Sequence, residues 1–420
     1  MTKEVIVILP TCNRYQMARL VAAKILSPTL AIIEISGKGS YNLPGWRDPK
    51  ADDLEYVDTL FSDRFYGEIP AQEMRSRLWS CLAARKGKIA ALVVLGWSNP
   101  EAVAAIAWAM GNDVAIIGLS ETQAIDEPRI FWKELVKRQI VGCFSAALVG
   151  GSPHREYMMQ LGLPADHVFL GYDAVDNSYF ADKVAEVRNQ LPAPRFFLAS
   201  ARFVEKKNLP RLIEAYARYR TLCETTSREP RAGSQQSEFQ VSDLRPPTSD
   251  LWSLVLLGDG ELRPAICSQL QALGLQSSVL LAGAKPYAEL PAYYANAGAF
   301  IHASTTEQWG LVVNEAMASG LPVLVSNRCG CAQDLVQESV NGFTFDPYNV
   351  EQMAQQMVRV WSMEPGARSK MGDASRQIIS VWGPERFAAG LEAAAECAIA
   401  VGPKRPSLMQ RMILKALLAR

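Results

Sequence analysis

The chain has 420 residues, 49% of them hydrophobic, with Lys plus Arg and Asp plus Glu both at 43. That length and apolar content predict two or three domains with cores of their own, and the charge balance argues against nucleic acid as a partner. No apolar run reaches the roughly 18 residues of a membrane-spanning helix, and the opening MTKEVIVILPTCNRYQ lacks a signal-peptide core, so a cytoplasmic protein is expected.

From the N-terminus, VIVIL (5–9), LAIIEI (30–35), IAALVVLG (89–96), DVAIIGL (113–119) and AALVGG (146–151) read as strands buried on both faces. Helical patterns at 15–26, 71–86, 99–110 and 130–141 separate them. Such alternation predicts a parallel, doubly wound sheet. The rhythm restarts after FLGYDAVDNSYF (169–180) and a charged helix ending near 191–195. Strand patterns follow at 196–201, 251–258, 278–283, 299–304, 322–326 and 342–345, with helices near 208–222, 260–273, 287–296, 310–319 and 350–362. The expected fold is therefore α/β, two Rossmann-like halves over 1–175 and 176–382, with ligands bound beyond the strand ends in a cleft between facing sheets.

Residues 224–250 are polar and aperiodic and read as a disordered insertion. The eight cysteines form no metal-binding spacing and are expected as reduced core thiols. At the C-terminus, KRPSLMQRMILKALLAR (404–420) carries five basic residues and no acid, with Leu408, Met412, Leu414 and Leu418 near one stripe. That pattern suits a helix packed on the body or one resting on a membrane surface.

Three motifs carry chemistry. In TEQWGLVVNEAMASG (306–320), followed by the apolar LPVLVS, a helix starting near Gly310 leaves Glu307 on the preceding loop and Glu315 between one and two turns inside. A carboxylate in such surroundings costs several kcal/mol unless it is exposed or receives hydrogen bonds. Paired ligand hydroxyls, as on a ribose, would supply them, whereas a solvated surface position would need none. In LASARFVEKKNLPRLIEAYARYR (198–220), Arg202 follows a strand, and Lys206 and Lys207 precede Asn208, a residue suited to cap the next helix. Cations at a helix N-terminus oppose its dipole by roughly 0.3–1 kcal/mol unless an anion binds there. Arg202 offers a planar fork and Lys207 a point charge, which together fit a diphosphate. In VLLGDGELRP (255–264), Gly258 and Gly260 stand at a strand-to-helix turn where backbone N–H groups can approach phosphate.

The order ARFVEKKNL, VLLGDGEL, LAGAKPYAELPAYYANAGAFIHAS, EQWGLVVNEAMASGLPVLVS, CGCAQDLV and NGFTFDP resembles the C-terminal half of the family 4 glycosyltransferases over about 196–362. The resemblance implies the GT-B fold, with helices from about 383–420 completing the first domain. It implies that Arg202 and Lys207 bind a donor diphosphate, that Glu307 meets the transferred sugar, and that Glu315 holds the ribose hydroxyls. Gly310, Leu311 and Val312 would complete the phosphate cradle, beside Gly258, and Lys285 would stand at the nucleobase pocket. The implied reaction moves a sugar from a nucleotide-diphosphate donor, UDP- or GDP-linked, to a carbohydrate or lipid-linked hydroxyl with retention of configuration, using neither metal nor cofactor.

The N-terminal half matches less closely. GYDAVDNSYF keeps Val175, Asp176 and Phe180 of the family's interdomain segment, with Ala174 in place of a glycine. The loop PTCNRYQ lacks the paired glycines of many members, leaving Asn13 and Arg14 as acceptor-side candidates. Where many members carry a histidine, this chain has Ser120, Glu121 and Thr122; Ser120 and Glu121 join the acceptor-side candidates, and His302 is expected as a packed strand-end residue. A sugar-nucleotide epimerase and a non-catalytic nucleotide-sugar binder remain as alternatives.

Overall fold

The computed structural model describes residues 3–39, 48, 54–188, 196–226 and 251–419. The chain divides into two compact units, Met1–Asp176 with Trp382–Arg420, and Asn177–Val381.

The first unit runs β1 (Glu4–Leu9), α1 (Arg14–Leu26), β2 (Leu30–Ser36), β3 (Val57–Phe61), α2 (Ala71–Ala84), β4 (Ile89–Leu95), α3 (Pro100–Gly111), β5 (Ala115–Ser120), α4 (Phe131–Val141), β6 (Ala146–Val149), α5 (Ser152–Gln160) and β7 (Val168–Leu170). Its strands form one seven-stranded sheet in the order β3-β2-β1-β4-β5-β6-β7, parallel at each pairing. Along β1 the period of two is visible in the packing: Ile6 and Ile8 enter one core, and Val5, Val7 and Leu9 the other. Both faces are covered by helices, which is why these strands read as unbroken apolar runs. The sequence reading passed over β3, β7 and α5. Both strands lie at the sheet's edges, where VDTLF and VFL have one neighbour and need no continuous apolar run.

The second unit runs α6 (Asn177–Arg188), β8 (Phe196–Ser200), α7 (Leu209–Thr226), β9 (Ser253–Leu257), α8 (Arg263–Ala272), β10 (Val279–Gly283), α9 (Leu290–Asn296), β11 (Ala299–His302), α10 (Leu311–Ala318), β12 (Val323–Ser326), α11 (Ala332–Leu335), β13 (Gly342–Phe345), α12 (Val350–Trp361) and α13 (Pro365–Ile379). Its sheet has the order β10-β9-β8-β11-β12-β13, again parallel. In both sheets the order of strands reverses once, between β1 and β4 in the first and between β8 and β11 in the second. Open sheets of this kind bind ligands beyond the strand ends at that reversal.

After the second unit the chain returns to the first as α14 (Pro384–Val401) and α15 (Leu408–Leu418). Phe387, Leu391 and Ala394 of α14 pack into the core that holds Val7, and Leu414 of α15 enters the one that holds Ile8. The single apolar stripe expected on the last helix is split instead: Leu414 is buried, while Leu408 and Met412 face solvent. Five of the eight free thiols are buried, but Cys267 on α8 is exposed. Helix α7 continues to Thr226, so 224–226 do not belong to the expected insertion, and 227–250 lie outside the described residues. No described helix is long and apolar enough to cross a membrane.

Candidate active site

Two loops meet at the strand reversal of the second sheet. After β8 the chain passes Arg202 and makes a 3-10 turn, Glu205–Lys207, before α7 begins. Asn208 does not cap α7 as its sequence position suggested. A capping residue needs extended backbone, and Asn208 is left-handed at φ 58°. Its side chain ties loops together, donating from Nδ2 to the carbonyls of Ala303 (3.0 Å) and Pro347 (2.7 Å) while Oδ1 accepts from Arg211. Thr305 reinforces this junction, its N–H donating to the Lys206 carbonyl at 2.9 Å. Residues about a hundred positions apart are thereby brought together.

The result is a direct ion pair: Lys207 Nζ donates to Glu307 Oε2, with side-chain exposures of 12% and 13%. The same oxygen lies 3.2 Å from both His302 Nε2 and Ser304 Oγ. Burial alone would raise the Glu307 carboxyl, but the His302 hydrogen bond and the Lys207 charge outweigh it and hold it well below the usual carboxylate range. Burial likewise works against protonated His302, yet its bonds to Cys329 and Glu307 push its pKa upward. His302 is therefore more than the packed strand-end residue expected, since it grips a candidate site residue. The local signal was the short spacing from His302 to Glu307 at the end of a buried strand.

Helix α10 starts directly after this cluster. Gly310 has φ 105°, and a Cβ there would stand 2.8 Å from Cys329 Sγ, so a larger residue meets both strain and a clash. The N–H groups of Gly310, Leu311 and Val312 find no acceptor among the described residues. They form the positive end of the helix dipole beside Lys207. Buried Trp309 pins this entry through Nε1, which donates to Asn314 Oδ1 at 2.9 Å.

Glu315 is fully buried, not a surface residue, and accepts a 2.7 Å hydrogen bond from the Tyr294 hydroxyl. Tyr294 is in turn held by Phe180, whose ring centroid is 5.7 Å away. The sequence reading did not anticipate Tyr294, because its bond to Glu315 spans separate helices.

The other candidates fall as follows. Arg202 is exposed on the same loop as Lys207 but makes no ion pair among the described residues. Lys285 stands 3.9 Å from Glu289 and 5.8 Å from the Tyr293 ring. Gly258 plays a different part from the phosphate cradle expected of it: its N–H donates to the Gly283 carbonyl, and a Cβ would approach Ala201 O to 1.9 Å. It is there so that two loops can touch.

In the first unit, Asn13 caps α1, accepting from Gln16 N–H at 3.0 Å, and the buried Ser120 hydroxyl accepts from Thr122 N–H at 3.1 Å. Both side-chain oxygens thus accept from local turns. Arg14 is exposed and Glu121 half-buried. Two buried acids escaped the sequence reading. Glu34 accepts from Cys12 N–H (2.7 Å) and Thr59 Oγ1 (2.8 Å), fixing the loop after β1. Asp173 lies 3.7 Å from buried Arg19, and burial together with the Glu121 charge pushes its pKa well above the usual range.

Residues 182–378 match the family model "Glycosyl transferases group 1". An uncharacterized glycosyltransferase of Haemophilus influenzae is 30% identical over 136 residues, 32% of this chain and 38% of that one. The sulfoquinovosyl transferase of Arabidopsis thaliana is 33% identical over 127 residues, 30% of this chain and 24% of its own. The matched region thus spans less than two-fifths of either relative. Among solved structures, the Anabaena HepE protein in complex with UDP aligns with a TM-score of 0.65 at 16% identity, covering 93% of this chain and 98% of that one. At that identity the likeness concerns the fold, and it extends over both units. The second unit is thus similar to the group 1 glycosyltransferases over 182–378, and the two parallel-sheet units have the GT-B architecture.

Proposed function

We propose that this chain transfers a sugar from a UDP- or GDP-linked donor to a hydroxyl acceptor, retaining the anomeric configuration and needing no metal or cofactor. The observation that carries this reading is the Lys207–Glu307 contact at the strand reversal, beside the first turn of α10. One of the three Lys207 donors goes to Glu307, so two are left for phosphate oxygens. Arg202 supplies the second cation, and the three N–H groups of α10 supply neutral donors. Breaking the sugar–phosphate bond builds negative charge on the diphosphate, and these fixed groups stabilise it more in the transition state than in the ground state. A donor phosphate oxygen takes the acceptor's proton on the same face, which accounts for retention without a protein nucleophile. Glu307, ionised and oriented by His302 and Ser304, accepts from hydroxyls of the transferred sugar; Glu315, oriented by Tyr294, accepts from the ribose.

Asn13, Arg14, Ser120 and Glu121 are the acceptor-side groups of this reading. The basic C-terminal segment supports a setting at the cytoplasmic face of a membrane, in polysaccharide or glycolipid synthesis. HepE was solved with UDP, so UDP-sugars are the first donors to try. The test is slow donor hydrolysis across UDP-, GDP- and ADP-sugars, with and without excess EDTA. Hydrolysis that survives EDTA and is lost in Arg202→Ala supports the reading. Conversion of a donor to its epimer would make the chain an isomerase, and tight donor binding without turnover would make it a binding protein.

A further inference from the structure

An apolar groove in the first unit is lined by its helices and by Trp97 and Ser98, just after β4. It has a volume of about 720 Å3 and is lined by Val103, Trp132, Val136, Ile140, Ile413 and Leu417, among others. Helices α3, α4 and α15 form its walls. Helix α15 runs against α4, with Gln410 Nε2 donating to the Gln139 carbonyl at 3.0 Å at one end and Trp132 lining the groove with Leu418 at the other.

The rim is unlike an ordinary protein surface. Phe131 and Trp132, at the first turn of α4, are each 71% exposed and stack edge to face at 5.1 Å. On α15, Leu408, Met409 and Met412 are exposed at 76%, 51% and 65%. Met409, Met412 and Ala416 follow at spacings of three and four, so they form a solvent-facing stripe beside groove-lining Ile413. Arg411 and Lys415, four apart, form the adjacent stripe. Arg75, Lys133 and Lys137 line the groove itself. Among nearby acids, Glu134 is matched by Arg129 and Lys137 and accepts from the Tyr157 hydroxyl, and Glu73 pairs with Arg64. No acidic residue occurs from 402 to 420.

We propose that this face of the first unit docks on an anionic phospholipid bilayer, with Phe131, Trp132 and the α15 stripe entering the interface and the groove receiving one acyl chain. Aromatic rings at the level of the headgroups, long apolar side chains below them and basic residues around them are what such an interface selects. The positive rim fixes the choice of occupant, since each Lys or Arg near a negatively charged bilayer adds attraction, whereas a neutral surface offers none. This deepens the membrane contact proposed above from one helix to a built surface, and it is independent of the donor site.

The experiment is flotation of the full chain with phosphatidylcholine vesicles and with vesicles of phosphatidylcholine mixed with phosphatidylglycerol. Binding is expected to the mixed vesicles alone and to weaken as salt rises. Phe131→Ser with Trp132→Ser should lower partition by at least about tenfold and leave donor hydrolysis unchanged. Both side chains are mostly solvated, so the fold survives their loss. Phosphatidylglycerol with brominated acyl chains should quench a tryptophan signal that is missing in Trp132→Phe. Equal binding to neutral vesicles, partition indifferent to the double substitution, or absence of acyl-chain quenching would overturn the proposal. So would a dimer in sedimentation equilibrium that dissociates in the double variant, because the face would then belong to a second copy. Loss of hydrolysis with vesicle binding intact would instead count against the donor-site reading alone.

Discussion

Removing the Lys207 ammonium, as in Lys207→Met, tests the site in two ways at once. Breaking a fully buried ion pair by deleting one partner costs about 3–5 kcal/mol, because the other charge is stranded. Here Glu307 keeps the His302 and Ser304 contacts at 3.2 Å, so the expected loss is smaller, about 1–3 kcal/mol. For a unit of this size that lowers the unfolding midpoint by roughly 2–12 °C. The measurement belongs near neutral pH. A depressed carboxyl contributes stability that is present above its ordinary pKa and lost only as pH falls through its lower folded value. Transfer should fall about 10²–10³-fold if Lys207 stabilises the leaving diphosphate. The double variant Lys207→Met with Glu307→Gln then separates the roles. With no stranded charge it should be more stable than Lys207→Met alone, yet remain inactive. Calorimetry and donor hydrolysis on the single and double variants read both. Additive stability losses, or near-normal turnover in Lys207→Met, would refute the argument.

Three further outcomes follow from the same site. His302 has a raised pKa, so its contribution is complete below the ordinary value near 6.5 and is lost as pH rises through the folded value; urea unfolding of His302→Gln should show a flatter decline in stability above neutrality than the parent chain. Tyr294→Phe removes a donor from buried Glu315 and should cost about 1–3 kcal/mol, seen as a lower melting temperature and weaker nucleotide binding by titration calorimetry, whereas unchanged binding would detach Glu315 from the nucleotide. Gly310→Ala must adopt a left-handed backbone and push on Cys329 Sγ, at a cost of about 1–3 kcal/mol; normal stability and normal donor affinity together would contradict the tight entry into α10.

Much of this architecture was legible because a sheet covered on both faces writes itself as continuous apolar runs. The strands at 5–9, 30–35, 89–96 and 299–304 could be read directly for that reason. Edge strands β3 and β7 carry fewer apolar neighbours and left no such trace. Within the site, Glu307 and Lys207 could be named from local motifs, but their contact depends on Asn208 and Thr305 stitching loops from separate strands, which no spacing displays. Asn208 misled because capping and left-handed turns favour the same residue. The acids missed, Glu34 and Asp173, meet partners distant in sequence: Glu34 accepts from Thr59, and Asp173 lies 3.7 Å from Arg19.

The route of the backbone has a consequence for synthesis. The chain leaves the first unit at Asp176 and re-enters it at Trp382, so the second unit is a contiguous stretch that can mature on the ribosome as soon as it emerges. The first unit cannot. Until α14 arrives, the sheet face that receives Phe387, Leu391 and Ala394 is bare hydrocarbon on a nascent polypeptide. For the time needed to translate some two hundred codons, this half is the one that most needs a chaperone.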